Sequence, residues 1–266
     1  MKKFSIAMLS MVLAGSMLLT GCGNSAPSTK DDTGADDAQQ PQQTEGTLIM
    51  GTNATFPPYE FVDENSEVAG IDAEIANAIA GELGMALEIK DMEFDSLIPA
   101  LSSGTIDIVL AGMTVTPARQ ENVDFTESYA TGVQVIIVPE GSSIASPDDL
   151  EGKTIGVQSG TTGDVYCTDD YGRDHVKQYS NGALAVAALV NGQIDCVVID
   201  NEPAKNYVAA NQGLKILDTE YVVEDYAAAI AKGNTELHEK VDAAIETLKE
   251  NGTIASIIAK YIPAEG

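Results

Sequence analysis

ALSSGTID (residues 100–107) returns later in the chain as ALVNGQID (residues 188–195), and the two octapeptides share the pattern A-L-x-x-G-x-I-D. In each copy a helical run meets Gly104 or Gly192 and then leads into a buried strand, and a glycine in that place is typical of a helix C-terminus. Five shared residues can arise by chance. The repeat is therefore evidence for two similar lobes only together with the helices and strands predicted around it.

Strands and helices alternate around both copies. Around the first copy the sequence predicts strands at 48–50, 87–89 and 106–110, with helices at 71–83 and 95–103. Around the second it predicts a helix start at 146–149, strands at 154–157, 176–179 and 194–199, and helices from 161 and at 182–190. Helices at 236–250 and from 253 close the chain. This alternation predicts parallel β-α-β units, and the repeat predicts two similar α/β lobes.

The N-terminus has the features of an export signal. A basic start at Lys2 and Lys3 precedes an apolar run at 4–19, which is shorter than the ~20 residues of a membrane span. The run ends at Leu19-Thr20-Gly21-Cys22, which resembles a lipobox, so residues 1–22 are predicted to be a lipoprotein signal with Cys22 acylated. The alternative is an ordinary secretory signal with a chance cysteine. Residues 23–46 almost lack apolar side chains and are predicted to form a disordered tether.

Charge and cysteine content exclude several functions. The chain holds 41 acidic and 14 basic residues, for a formal charge of −27, so nucleic acid and anionic lipid head groups are not expected partners. Export favours a disulfide between Cys167 and Cys196, with two free buried thiols as the alternative. Neither these cysteines nor His175 and His238 have metal-ligand spacing. We predict no metal, no cofactor and a monomer.

The ends of the predicted strands carry small, hydroxyl-bearing and charged residues. In open parallel sheets, ligands bind beyond the carboxyl ends of the strands. The residues that follow the predicted strands include Asn53 and Phe56; Ala111, Gly112, Met113 and Thr114; Gln158, Gly160, Thr161 and Thr162; and Asp200. Two such edges that face each other predict a cleft for a small polar molecule.

Arg119 is one of only two arginines, the other being Arg173. In the stretch T-P-A-R, Thr116 and the following proline predict a helix start. A cation in the first turn opposes the helix dipole, so a specific role is favoured. A guanidinium takes a carboxylate through two parallel hydrogen bonds, and the amides of a first turn favour the same anion. The alternative is an ion pair with Glu121 or Asp124.

Asp200, at the end of an apolar strand, is predicted to face an ammonium group. The alternative is that it caps a helix that begins near Pro203. The hydroxyls of Thr114 and Thr162 add polar groups to the cleft. Gly112 and Gly160 allow backbone amides to approach a ligand closely. Phe56 offers an apolar plate, with a place in the core as its alternative.

Several of these segments together resemble the family 3 extracellular solute-binding proteins, the polar amino acid receptors of ABC importers. The matching motifs are GTNATFPPYEF, AGMTVTPAR with DFTESY, GVQSGTTG and VVIDNEP, and the similarity covers 47–262. The resemblance implies two lobes, 47–131 with 227–266 and 132–226, which are joined by two crossover strands and close on ligand like a hinged clamp.

The resemblance also implies a role for each site residue. Arg119 receives the ligand α-carboxylate with help from Thr114 and Thr162, and Asp200 receives the α-ammonium. Gly112 supplies a backbone group and Phe56 stacks on the ligand side chain. Asn53 and Gln158 stand where family members vary with their ligand. Histidine- and lysine/arginine-binding members often carry an acid at the position of Asn53 and a serine at that of Ala111. Both departures point away from a strictly basic ligand, and the Ala111–Thr114 segment also resembles glutamine-binding members.

The leading functional prediction is a lipid-anchored receptor on the extracellular face of the cytoplasmic membrane of a Gram-positive bacterium. It delivers a polar amino acid to an ABC permease, and its predicted partners are this permease and, through it, the ATPase. One alternative is an amino acid-sensing lipoprotein. The other is an enzyme like the cyclohexadienyl dehydratase of the same family. That chemistry needs a general acid, and Asp200, the only evident one, is already engaged by an ammonium group.

Overall fold

The computed structural model describes residues 46–218 and 221–263. The predicted signal at 1–22 with Cys22, and the predicted tether apart from Gly46, lie outside the described residues. No helix within the described ranges combines the length and apolar character that crossing a membrane requires.

The described chain alternates between strands and helices. The strands are β1 (Thr47–Thr52), β2 (Thr55–Phe56), β3 (Glu60–Val62), β4 (Val68–Ala69), β5 (Ala86–Asp91), β6 (Ile108–Val109), β7 (Val123–Pro139), β8 (Ile155–Gln158), β9 (Val176–Tyr179), β10 (Cys196–Asp200), β11 (Leu214–Ile216) and β12 (Val222–Ala231). The α-helices are α1 (Ile71–Glu82), α2 (Leu97–Ser102), α3 (Pro117–Gln120), α4 (Thr162–Tyr171), α5 (Gly182–Val190), α6 (Asn201–Ala210), α7 (Thr235–Glu250) and α8 (Thr253–Tyr261).

Two sets of three parallel strands have the same internal order. β1 pairs with β5 on one side and with β6 on the other, and β8 pairs in the same way with β9 and β10. In both sets the first strand along the chain therefore lies between the second and the third. The sequence prediction of two similar α/β lobes is confirmed at this level of topology.

The sequence repeat has a structural counterpart in each set. Gly104 and Gly192 have φ values of +70° and +68°, in the left-handed region that favours glycine. Three residues after each glycine, an aspartate carboxylate accepts a hydrogen bond from a backbone amide in the neighbouring strand or just before it. Asp107 accepts from the amide of Ile49 at 2.8 Å, and Asp195 accepts from that of Thr154 at 2.7 Å. The repeated Gly-x-Ile-Asp thus ends a helix and fixes the next strand.

Two long antiparallel strands, β7 and β12, join the two sets. β12 pairs with β6 of the first set, and β7 pairs with β10 of the second. The pairing between β7 and β12 changes register at Tyr226/Ala227, the position where the sequence places one lobe boundary. The fold is the predicted two-lobed, periplasmic-binding-protein-like α/β fold with two crossover strands, and the lobe limits stay a prediction.

Helix α1 forms where the apolar spacing predicted it. Ile71, Ile75 and Ile79 of α1 are completely buried, and α1 packs against α7 and α8. The helix start predicted at 146 is a single 3-10 turn, Pro147–Leu150, with Ser146 and Asp149 forming a capping box. The small sheet of β2, β3 and β4 was not predicted from the sequence, and neither was either long strand.

The disulfide favoured by the sequence is not formed. Cys167 and Cys196 are free thiols, each with 0% of its surface exposed, in one apolar cluster with Val157 and Val198. Burial raises the pKa of both thiols well above the usual range. Disulfide formation needs a thiolate, so this environment disfavours oxidation. The structure therefore shows the predicted alternative, in which both thiols are free and buried.

Candidate ligand-binding site

Arg119 lies in the first turn of α3, as its sequence context predicted. The side chain of Thr116 caps the helix by accepting a hydrogen bond from the amide of Arg119 at 3.2 Å. The guanidinium donates to the carbonyl of Thr114 at 2.8 Å and to that of Gly160 at 3.1 Å. A guanidinium has five N–H donors, so three remain after these contacts.

The predicted alternative for Arg119, a pair with Glu121 or Asp124, is not found among the described ion pairs. Asp124 is paired with Lys232 at 2.7 Å. The guanidinium carbon of Arg119 lies 5.3 Å from the ring centroid of Phe94, within cation–π distance. The charge of Arg119 is therefore directed into the cleft rather than neutralised on its own helix.

Arg119 lines a cavity of about 570 Å³, within the range of small-molecule sites. One wall comes from residues between 94 and 122, and the other from Gly160 and the start of α4. The cavity is lined by Phe94, Asp95, Ile98, Met113, Val115, Thr116, Pro117, Ala118, Arg119, Asn122, Gly160, Thr162, Val165 and Tyr166. Most of these side chains are apolar, and the guanidinium is the one cationic group among them.

Two buried acids, Asp200 and Glu224, lie close enough to Arg119 to act on its charge. Asp200 accepts hydrogen bonds from Gln134 Nε2 at 2.8 Å and from the hydroxyl of Tyr226. Glu224 accepts from the same Gln134 nitrogen at 3.0 Å and from Thr162 Oγ1 at 2.8 Å. The charges of both acids oppose the lowering of the pKa of Arg119 that burial causes. The cleft therefore has a cationic and an anionic pole.

Asp200 is the N-cap residue of α6 by its backbone, but its carboxylate makes no capping hydrogen bond. It is 6% exposed, and burial raises its pKa to about 7, an effect to which the charge of Glu224 adds. The side chain of Asp200 therefore does not cap the helix, which was the predicted alternative.

Asn53 and Gln158 meet across the cleft. Gln158 Nε2 donates to Asn53 Oδ1 at 2.9 Å, and the same oxygen accepts from Thr55 Oγ1 at 2.9 Å. Asn53 Nδ2 donates to the carbonyl of Met92 at 2.8 Å. A second, small cavity of about 10 Å³ lies beside them, lined by Asn53, Phe56, Glu60, Phe94, Ala111, Gln158 and Thr161. Phe94 contributes to both cavities.

At two positions of the predicted site, the backbone conformation requires a glycine. Gly112 has a φ of +51°, and a Cβ atom on it would lie 3.1 Å from the ring of Phe56. Gly160 has a φ of +75°, and a Cβ atom there would lie 2.9 Å from Cβ of Asp95. The amide of Gly112 donates to Asp72 at 2.7 Å. Its amide is thus occupied, and its carbonyl is the group left to serve a ligand.

The remaining predicted residues support this arrangement. Thr161 caps α4 and donates to the carbonyl of Gln158 at 2.8 Å. Ala111 and Met113 are 2% and 1% exposed and line the small and the large cavity respectively. Thr162, predicted to help with a ligand carboxylate, instead donates its hydroxyl to Glu224. Nine of the twelve predicted residues thus line one of the two cavities, and Gly112, Thr114 and Asp200 line neither.

Several residues of the site were missed by the sequence reasoning. Phe94 follows the strand predicted at 87–89, so the rule that ligands bind beyond strand ends also points to it. Glu60 lies between Tyr59 and Phe61, an unusual place for an acid. Gln134, Glu224 and Tyr226 lie on the long crossover strands, which no pattern in the sequence predicted. Within the described ranges, no group of three or more potential ligands could hold a metal ion.

A mostly apolar cleft with one cationic and one anionic pole, between two α/β lobes that are joined by crossover strands, is typical of a binding protein for a small solute. The model of the family "Bacterial extracellular solute-binding proteins, family 3" matches residues 48–264. The chain belongs to this family, as the motifs of the sequence predicted.

Named relatives cover nearly the whole chain. A probable histidine-binding protein of Neisseria gonorrhoeae is 33% identical over 273 residues, which cover 100% of this chain and 97% of that protein. The arginine-binding extracellular protein ArtP of Bacillus subtilis (strain 168) is 31% identical, with 100% of both chains covered.

The fold is also that of solved structures. An ancestral arginine-binding protein bound to arginine is 44% identical to this chain, with a TM-score of 0.78 over 83% of this chain and 100% of that one. A structure of an ancestral arginine-binding protein bound to glutamine gives 43% identity and the same TM-score, with 83% and 99% covered.

Proposed function

We propose that this protein binds a polar L-amino acid in the cleft and delivers it to an ABC importer. The observation that carries the proposal is the pair of opposite poles, Arg119 on one side and Asp200 with Glu224 on the other. A zwitterionic amino acid carries one positive and one negative group, so it needs both poles. The three free donors of Arg119 suit an α-carboxylate, and the buried acids suit an α-ammonium.

The relatives support the same class of ligand, since they are named for arginine and histidine. On this basis arginine is the first ligand to test and glutamine, bound in an ancestral relative, is the second. Phe56 and Phe94 lie where they flank a ligand side chain, and Asn53 with Gln158 lies at its polar end. We propose lobes at 47–131 with 227–266 and at 132–226, which move about the two crossover strands.

Ligand binding works by a shift between open and closed lobes. Direct hydrogen bonds already link the proposed lobes around the site, among them Arg119 to Gly160, Gln158 to Asn53, and Ser159 Oγ to Asp95 at 3.1 Å. A ligand that contacts both lobes adds to these bonds only in the closed state. Binding therefore favours closure.

Calorimetry of the mature protein with the twenty standard amino acids, ornithine and cystine tests the proposal. We expect at least one polar amino acid to bind with a Kd in the micromolar range or below, with a matching rise in melting temperature, since a ligand that binds only the native state stabilises it. Absence of heat and of a thermal shift with every compound would rule the proposal out.

We further propose that a lipid on Cys22 holds the protein at the outer face of the membrane of a Gram-positive bacterium, beside its permease. The Cys22→Ala variant is expected to appear in the culture medium while the wild type stays with the membrane fraction. Equal membrane retention of both would exclude the anchor. Uptake of the ligand in a deletion strain separates transport from sensing, because only a transport receptor is needed for uptake.

A further inference from the structure

Helix α6 reaches across the cleft to the segment that carries Phe56. The helix lies in the proposed second lobe, whereas β2, which contains Phe56, lies in the proposed first lobe. The hydroxyl of Tyr207 donates to the carbonyl of Thr55 at 2.6 Å, a usual length for an O–H···O bond. Nδ2 of Asn206 donates to the carbonyl of Pro57 at 3.4 Å. These carbonyls stand directly before and after Phe56, so one helix holds the chain on both sides of this residue.

Two features keep the hydroxyl of Tyr207 in this place as a donor. The first residue of α5, Gly182, leaves room for it, because a Cβ atom there would lie 3.1 Å from the hydroxyl oxygen and 2.5 Å from Cδ1 of Ile199. Burial raises the pKa of Tyr207 well above its usual range, so the hydroxyl keeps its proton. Tyr207 therefore meets the carbonyl of Thr55 through a space that α5 leaves open.

Both hydrogen bonds lie outside the groups assigned to the ligand. Tyr207 and Asn206 line neither of the two cavities, and their acceptors in β2 and beyond it are backbone carbonyls. When the lobes separate, each donor and each carbonyl returns to water. The net gain from one such bond is therefore only about fivefold in the equilibrium between the closed and the open state. This gain does not depend on the ligand side chain, so it is the same for every ligand.

We propose that Tyr207 is a positioning residue for ligand binding, a role that rests on the proposed function. With Asn206 it forms a latch, which holds α6 to the peptide groups around Phe56 while the lobes are closed. Phe56 lines the small cavity, and α6 begins directly after Asp200. The latch therefore holds the aromatic wall of the site against the helix that follows the anionic pole. A bound ligand leaves after the lobes open, so the latch slows its release.

The test compares the rate constants of the Tyr207→Phe variant with those of the wild type. The ligands are two amino acids that bind in the calorimetric screen, with arginine and glutamine taken first, and stopped-flow tyrosine fluorescence follows the reaction. The variant keeps the ring and loses only the hydroxyl. It is expected to raise the dissociation rate constants of both ligands by the same factor, about fivefold. Its association rate constants should stay within about 1.5-fold, because the ligand meets the open state, in which the latch is absent.

Tyr171→Phe is the matched control. The hydroxyl of Tyr171 donates to the carbonyl of Pro147 at 3.0 Å, so the same kind of hydrogen bond is lost, but within the proposed second lobe. A loss of stability alone would act alike in both variants. Tyr171→Phe is expected to leave both rate constants within about 1.5-fold of the wild type, because its bond is the same in the open and the closed state. Asn206→Ala, which loses the longer bond of the latch, is expected to raise both dissociation rate constants about twofold.

Dissociation rate constants of Tyr207→Phe equal to those of the wild type would overturn the latch and leave the proposed function standing. Factors that differ between the two ligands would overturn it as well, because Tyr207 would then act on the ligand side chain. An equal effect of Tyr171→Phe would reduce the latch to a loss of stability. If Tyr207→Phe does not fold, the same comparison with Asn206→Ala decides. Absence of any binding by the wild type would refute the proposed function, and the latch with it.

Discussion

Replacement of Arg119 by alanine is expected to abolish the binding of every amino acid, whatever its side chain. The α-carboxylate is common to all of them. Arg119 is the cationic residue among those that line the large cavity, and three of its N–H donors are free to bind that carboxylate. Truncation of one partner of a desolvated charge pair costs about 2–5 kcal/mol, which is roughly a 30- to 5,000-fold loss of affinity. Calorimetry with the best ligand of the wild type measures it.

The second arginine provides the control. Arg173 is 3.6 Å from Asp164 in an ion pair whose arginine side chain is 60% exposed, and exposed pairs contribute about 0–1 kcal/mol. Arg173→Ala should therefore change affinity by only a few-fold. Arg119→Lys separates charge from geometry, because an ammonium cannot make two parallel hydrogen bonds. Unchanged affinity in Arg119→Ala, with the variant folded by circular dichroism, would refute the carboxylate role.

The parts of the fold that depend on local sequence were predictable. The apolar spacing of Ile71, Ile75 and Ile79 and the glycine at position 84 locate α1, and β9 and α5 have the predicted limits. The repeat around Gly104 and Gly192 predicted two similar lobes. In these places each residue favours by itself the conformation that it adopts.

The crossover strands could not be predicted in this way, because their stability comes from partners far away in sequence. β7 runs through polar residues such as Glu127 and Ser128, and it becomes a strand by pairing with β12 about a hundred residues later. Gln134, Glu224 and Tyr226 are brought to the site only by this pairing. The anionic pole was therefore predicted as Asp200 alone, although the structure places a second acid beside it.

The short sheet of β2, β3 and β4 shows the same limit. Strands of two or three residues have no recognisable period. Gly70 packs so closely on the carbonyl of Tyr59 that a Cβ atom would lie 2.3 Å from that oxygen. Glu60 is carried into the core by this small sheet. Glu60 was therefore not predicted, for a tertiary reason, whereas the polar residues at the ends of the longer strands were predicted.

Replacement of Asp200 by asparagine is expected to weaken binding of all amino acids by about 100-fold and to remove a pH dependence. In the ligand-free protein, burial raises the pKa of Asp200 to about 7, and the neighbouring Glu224 adds to the shift. A ligand ammonium favours the ionised carboxylate, so binding is strongest above pH 7 and lost as the pH falls. Affinity for a neutral-side-chain ligand such as glutamine should drop roughly 30-fold between pH 8 and pH 5.5, at tenfold per pH unit below the pKa.

The direction in which affinity changes with pH distinguishes the contribution of Asp200 from that of Arg119. The guanidinium stays charged throughout this pH range, and so does the α-ammonium of the ligand, so neither produces a loss of affinity on acidification. Protonation of Asp200 does produce such a loss. Ligand binding below pH 7 should release this proton, and calorimetry should detect the release as a heat that varies with the ionisation enthalpy of the buffer. Asp200→Asn has no proton to release, so its weaker binding should stay level from pH 8 to pH 5.5. A level profile in the wild type would mean that Asp200 does not carry the ammonium, and Glu224, which shares Gln134 with it, would be the acid to replace next.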